Sequence, residues 1–168
     1  MKKYNGISLI KILLPTFITL GLLITALFLI VIPRFENIIL DRKREMIKEL
    51  TISTISMIEK WYSLEKEGKI SKEDAQKNAK EFVRNSRYGT DLKDYFWITD
   101  MQPKMIVHPY RIELEGKSLK KFEDSKGKYL FVEMKNIVEK YNEGFVDYMW
   151  QWKDDSTKIV PKLSYVKK

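Results

Sequence analysis

The chain contains no cysteine and a single histidine, His108. The first absence excludes a disulfide framework, a zinc–thiolate site and a thiol nucleophile, while saying nothing about compartment, because an exported domain neither needs nor forbids cysteine. The second excludes a zinc site built on paired histidines, and His108 with nearby carboxylates has no metal-ligand spacing. A phosphate-cradling glycine loop and a nucleophile elbow are also missing. With neither a nucleophile–base pair nor a metal cluster to point to, no catalytic residue, no metal site and no cofactor is expected. Internal repeats and low-complexity tracts are absent as well.

Charge is plentiful, with a net value of +8. Its basic residues are interleaved with acids, as in Lys66, Glu67, Lys69, Lys72, Glu73, Asp74 and Lys77, and no recognised basic module occurs. That pattern describes a solvated lysine-rich surface, and nucleic acid is not an expected partner. Hydrophobic residues make up 44% of the chain and charged residues 32%, but they are segregated into a very apolar N-terminal segment and a charged remainder. The remainder is long enough for one domain with its own core and too short for two.

Residues 12–32 carry no charge, a 21-residue run dominated by Leu, Ile and Phe. About 20 such residues cross a hydrocarbon core ~30 Å thick, so the run is expected to be a transmembrane helix. A cleaved signal would have an apolar core of only ~7–15 residues and a small-x-small cleavage site, and neither is present. Pro15 is placed in the first turn, where its missing N–H is harmless, and Thr16, Thr19 and Thr25 can bond back to helix carbonyls. Lys2, Lys3 and Lys11 precede the run, but Arg34, Arg42, Lys43 and Arg44 follow it, so the charge count leaves orientation open.

Beyond Pro33, Ile47, Leu50, Thr54, Ile58, Trp61 and Leu64 recur at three- and four-residue spacing and predict a long helix continuing the apolar one, stopped by Gly68. Ser71 and Asp74 form a capping-box start for a second helix that turns Ala75, Ala79, Phe82 and Val83 inward. The period then changes. Residues 94–99 and 104–108 read as the two strands of a hairpin across the turn 100–103. Residues 129–141 read as a helix with Leu130, Phe131, Met134, Ile137 and Val138 inward, stopped by Gly144. Strands at 145–152 and 158–167 follow, joined by the polar turn 153–157. Helices followed by an antiparallel meander predict an α+β domain with helices packed on a four-stranded sheet.

Strand alternation places Tyr95 with Trp97, Tyr148 with Trp150, and Lys104 with Ile106 and His108 on common faces. Such faces can wall a pocket, and a small anion needs an apolar wall with a few convergent donors. The donors on offer are tyrosine hydroxyls, His108, Arg87 and Lys162. Each has a structural alternative: strand aromatics also build cores, a lone histidine also serves as a buried structural group, and Arg87 and Lys162 are also ordinary surface charges.

Seven ordered blocks carry a resemblance. They are Arg87-Tyr88-Gly89; Asp94-Tyr95-Phe96-Trp97-Ile98-Thr99-Asp100; Met105-Ile106-Val107-His108-Pro109; Leu114-Glu115-Gly116-Lys117 with Leu119; Asp124 with Gly127; Glu143-Gly144-Phe145-Val146-Asp147-Tyr148 with Trp150; and Pro161-Lys162-Leu163-Ser164-Tyr165-Val166-Lys167. Together they resemble the Cache sensor domains, in particular the single-Cache type of bacterial chemoreceptors (methyl-accepting chemotaxis proteins) and sensor histidine kinases. The resemblance implies a long helix leading into a PAS-like antiparallel sheet outside the cytoplasmic membrane, with a pocket for small molecules, often short carboxylates. It implies a cytoplasmic N-terminus (residues 1–11), a membrane helix (12–32) and an extracytoplasmic domain (34–168) in a single-pass inner- or plasma-membrane protein. Carried over residue by residue, it assigns ligand contact to Tyr95, Trp97, Met105, His108, Tyr148 and Lys162, and to Arg87. By the same analogy it implies a homodimer formed through the long helix. Members of the family continue into a further Trp-containing, glycine-rich strand, so the sheet is expected to lack its last strand. The alternative expectation is a membrane-tethered interaction or regulatory subunit, or a receptor fragment, without ligand binding.

Overall fold

The computed structural model describes residues 6–168, so Lys2 and Lys3 of the basic N-terminus lie outside the described residues. It divides into two compact units, Met1–Glu45 and Met46–Lys168.

The first unit is helical: α1 (Gly6–Ala26), a π-helical turn (Leu27–Val31) and the start of α2 (Ile32–Lys66). Among the described residues this is the one helical stretch long and apolar enough to cross a membrane. Its large side chains, among them Phe17, Leu23 and Leu29, are exposed. Thr19 and Thr25 donate their hydroxyls to the carbonyls of Thr16 and Gly21 at 2.9 and 2.8 Å, the back-bonding expected of them. Pro15 is not in a first turn, because the helix already begins at Gly6. An interior proline leaves one helix carbonyl without its N–H donor, which a spanning helix tolerates when local adjustment re-satisfies the group.

In the second unit α2 ends through Gly68, whose φ of +70° permits the left-handed turn that returns the Lys69 amide to the Leu64 carbonyl at 2.9 Å. Ser71 caps α3 (Lys72–Asn85), its hydroxyl accepting the Asp74 amide at 3.0 Å and donating to the Asp74 carboxylate at 2.7 Å. Trp61 of α2 meets Phe82 of α3 at 5.4 Å between ring centroids.

The expected hairpin is divided. β2 (Asp94–Tyr95) pairs with β1 (Arg87–Tyr88), whereas β3 (Ile98–Thr99) pairs with β4 (Met105–Val107). The run 94–99 is therefore two short strands interrupted at Phe96 and Trp97. Helix α4 (Leu130–Tyr141) buries Leu130, Phe131, Met134 and Val138. Asn142 terminates it at φ +65°, not Gly144. Gly144 lies in β5 (Glu143–Trp152), where a Cβ would stand 2.5 Å from Ile137 Cγ2, so its lack of a side chain serves close strand–helix approach. β6 (Asp155–Lys167) pairs with β5 along its length, from Glu143 opposite Lys167 to Trp152 opposite Asp155. Only Lys153 and Asp154 remain in a turn expected to take five residues.

The architecture is α+β and antiparallel as expected, but the strands form three two-stranded ribbons rather than one four-stranded sheet. The core gathers Met105, Leu114, Leu119, Leu130, Phe131, Met134, Val146, Tyr148 and Trp150, where α4 covers one face of the β5–β6 ribbon. A trough of about 550 Å³ runs between α2, β3, α4 and β6, walled by Ile47, Ile55, Ile58, Trp97, Leu163 and Val166 among others.

Candidate ligand site

Pro109 ends β4 just after His108 and turns the chain so that the amides of Tyr110 and Arg111 point back at the imidazole. Both donate to Nδ1, at 3.2 and 2.9 Å. A nitrogen that accepts two hydrogen bonds carries no proton, so the ring proton sits on Nε2, and the Nε2–H makes no hydrogen bond among the described residues. Burial, reinforced by the positive charges of Lys162 and Arg111, lowers the His108 pKa to about 3, so the ring is neutral at physiological pH. Its own amide donates to Glu115 Oε1 at 2.9 Å, and Arg84 of α3 ion-pairs that carboxylate at 2.8 Å. Through Arg84, its largest influence, Glu115 is held below the usual carboxylate range.

Around the imidazole stand three aromatic rings. Tyr95 lies 4.9 Å from it and Trp150 5.9 Å, and Tyr110 meets Tyr95 edge-on at 5.0 Å. The Trp150 indole N–H donates to Tyr95 Oη at 2.9 Å, which leaves the Tyr95 hydroxyl proton free to turn elsewhere. Lys162, opposite Tyr148 in the β5–β6 ladder, holds its ammonium 4.0 Å from the centre of the Tyr95 ring. It has no ion-pair partner among the described residues, and burial lowers its pKa to about 8 despite the Asp94 charge. Arg111 lies 5.6 Å from the centre of the Trp150 ring and is ion-paired with Glu113. Tyr148 is buried, its hydroxyl 2.8 Å from Ser164 Oγ.

Of the seven residues singled out from the sequence, the structure brings Tyr95, His108 and Lys162 together, with Tyr148 beside them. Met105 is fully buried in the core. Trp97 lines the trough, which Tyr95 also reaches but His108 and Lys162 do not. Arg87 spends its guanidinium on the carbonyls of Arg84 and Ser86, at 2.7 and 2.9 Å, and on Tyr110 Oη at 3.2 Å. It therefore braces Tyr110 from behind. Sequence reasoning left Arg111 and Tyr110 out of the site and named Trp150 only as a candidate wall, without assigning it ligand contact. The His-Pro-Tyr-Arg order was the available signal for the first two, and its strand face, shared with Tyr148, for the third.

Chemically, the cluster offers an ammonium, an imidazole N–H, a guanidinium and a phenol hydroxyl against aromatic walls. Among the described residues only the guanidinium has a carboxylate partner, Glu113, and the set as a whole is complementary to a small carboxylate.

Comparison with known proteins gives the family and the fold. Residues 39–168 match the sequence profile of Single Cache domain 2, and the chain belongs to that family. It is 31% identical over 144 residues to the methyl-accepting chemotaxis protein McpP of Pseudomonas putida, an alignment covering 86% of this chain and 26% of that relative. The chain thus spans about a quarter of the relative's length. A solved structure described as the periplasmic sensor domain of a chemotaxis protein superposes with a TM-score of 0.72 at 32% identity, covering 77% of this chain and 88% of that one. Another, described as the structural basis for carboxylic acid recognition by a Cache chemosensory domain, gives 0.72 at 31% identity, covering 78% and 87%. A methyl-accepting chemotaxis protein from Vibrio parahaemolyticus shares the fold, with a TM-score of 0.66 at 22% identity, covering 77% and 82%. The fold and family are those of a Cache chemosensory domain.

Proposed function

We propose that this protein is a membrane-anchored sensor whose Cache domain, outside the cytoplasmic membrane, binds a short carboxylate at the His108–Lys162 cluster for chemotaxis or two-component signalling. The observation that carries the reading is Lys162, a half-buried side chain whose ammonium is desolvated and has no ion-pair partner among the described residues. A charge taken out of water is costly unless something pairs with it, and a ligand carboxylate would do so. In this reading His108 Nε2–H and the Tyr95 hydroxyl hold the anion's oxygens, Arg111 contributes when released from Glu113, and Trp150 and Tyr148 wall its carbon chain. In the same proposal Met105 and Trp97 shape the walls and Arg87 supports Tyr110. The relative described as recognising carboxylic acids supports this ligand class.

The anchor is residues 12–32, with 1–11 in the cytoplasm and 34–168 outside. Two copies pairing along α2 belong to the same reading, supported by a 35-residue helix that has no buried residue.

The test is thermal unfolding of the full chain in lipid nanodiscs with millimolar acetate, propionate, pyruvate and glycine. A ligand that binds only the folded form raises the midpoint, by the equivalent of about 2.7 kcal/mol at a hundred times its Kd. At least one carboxylate is expected to do so. Lys162→Ala and His108→Ala are each expected to weaken binding roughly 10- to 100-fold, the worth of a hydrogen bond to a charged group. Failure of every carboxylate, or a rise that persists in both variants, would overturn the proposal.

A further inference from the structure

Among the described residues, the part of α2 within the second unit has a ring contact at one end and an ion pair at the other. Near its C-terminal end Trp61 meets Phe82 of α3, the two rings tilted at 58°. Thirteen residues earlier, about 20 Å along a helix rising 1.5 Å per residue, Lys48 ion-pairs with Glu143 Oε1 at 2.6 Å, and its ammonium lies 5.5 Å from the centre of the Tyr165 ring. Among the described residues this is the one hydrogen-bonded or ion-paired link from α2 to the strands. Between the two points lies the trough, so the face carrying Ile47, Ile55 and Ile58 is not packed tightly on the ribbons.

Glu143 opens β5 and is shared: its second oxygen takes Lys167, the last residue of β6, at 2.5 Å. Lys167 and Lys48, in that order, hold its carboxyl down at about 2. The same ribbon carries Tyr148, Trp150 and Lys162. Lys162 is five residues from Lys167, about 17 Å at ~3.4 Å per residue, and the ladder between them is continuous. The backbone of Lys162 is thereby tied through the ladder to the end of the ribbon that carries Glu143.

We infer that Glu143 is a latch by which the ligand-bearing ribbon holds α2, so that a carboxylate drawn onto Lys162 resets the helix about a pivot at Trp61 and Phe82. The transmission step rests on the ligand reading above; the latch itself does not. Half-exposed ion pairs of this kind are worth roughly a two- to fivefold ratio of held to released helix, small enough for ligand binding to reset.

Because the chain has no cysteine, Ile52→Cys and Ser156→Cys spin labels report the α2-to-ribbon distance without background. Without ligand, Glu143→Gln and Lys48→Gln are each expected to broaden the distance distribution in nanodiscs, while Lys48→Arg, which keeps the charge, and Lys167→Gln, which leaves Lys48 paired, retain it. Unchanged distributions in both Gln variants would overturn the latch, whatever the ligand. With saturating acetate or propionate, the unsubstituted protein is expected to shift its distance, and Glu143→Gln to keep its thermal midpoint rise but lose the shift. A shift that survives Glu143→Gln would overturn the transmission step. The absence of any midpoint rise in the unsubstituted protein would instead sink the ligand reading and the transmission built on it, leaving the latch judged by the ligand-free arm.

Discussion

An ammonium that has lost water without gaining a carboxylate, as at Lys162, stores the tension of the site. Its folded pKa of about 8 lies below the free value of 10.5, so the folded state holds this proton less well than the unfolded chain does. The penalty is fully present below pH 8 and is relieved as pH rises toward 10.5. Lys162→Met is therefore expected to raise the ligand-free stability at pH 7 by about 1–3 kcal/mol while removing the ligand response, read by urea unfolding with and without acetate. The charged form must be present to bind an anion. Affinity is expected to be flat from pH 5 to 7, since His108 with a pKa of about 3 stays neutral there, and to fall about tenfold per unit well above pH 8. Calorimetric titration across that range checks the profile. Tyr95, His108 and Lys162 were legible as donors from residue type, strand alternation and the family resemblance. The braced role of Arg87 was not, because its partners are the carbonyls of Arg84 and Ser86, which no residue pattern displays. Nor was Arg111 read as part of the site: the His-Pro-Tyr-Arg order hints at it, but the hydrogen bond from its amide to the imidazole depends on how the chain turns after Pro109.

At the scale of elements, the helix period and cap chemistry were readable and strand pairing was not. The Ser71 cap, the Gly68 stop and the inward faces of α3 and α4 all follow from local rules. Residues 94–99 read as one strand because aromatic and β-branched residues favour extended backbone anywhere, whereas their division between β1 and β4 is decided by tertiary pairing. Gly144 was read as a helix stop because glycine is the usual left-handed residue, yet Asn142 takes that position. The structural role of Gly144 makes it sensitive. Gly144→Ala drives a methyl onto Ile137 and is expected to cost about 1–3 kcal/mol by overpacking. Asn142→Gly relieves positive φ and is expected to be neutral or to stabilise by up to about 1 kcal/mol. Urea unfolding of the two variants separates the roles; equal destabilisation would contradict them.

For the whole molecule, composition announced an apolar segment before a charged remainder, periodicity and turn signals made that remainder α+β, and the family match from residue 39 onward agrees with the α+β fold. The expected four-stranded sheet is instead three ribbons bordering a trough, a long-range outcome that single-strand patterns do not encode. Orientation was open in the charge count for a physical reason: lysine and arginine flank both ends of the apolar run, and long domains translocate with little regard to charge. The anchored arrangement makes a direct prediction. In intact cells an impermeant maleimide is expected to label Lys80→Cys, on the exposed side of α3, and not Lys3→Cys; the reverse pattern would invert the topology.

The central claim is that a carboxylate sits on His108 and Lys162, and the single histidine gives it a reporter. In protein labelled with ¹⁵N-histidine at pH 7, the spectrum should show one neutral ring protonated at Nε2. Saturating the carboxylate that raises the thermal midpoint should then shift Nε2 and its proton downfield while Nδ1 stays an acceptor. A midpoint rise with the histidine signals unmoved, or a ring protonated at Nδ1, would place the ligand elsewhere and contradict the account.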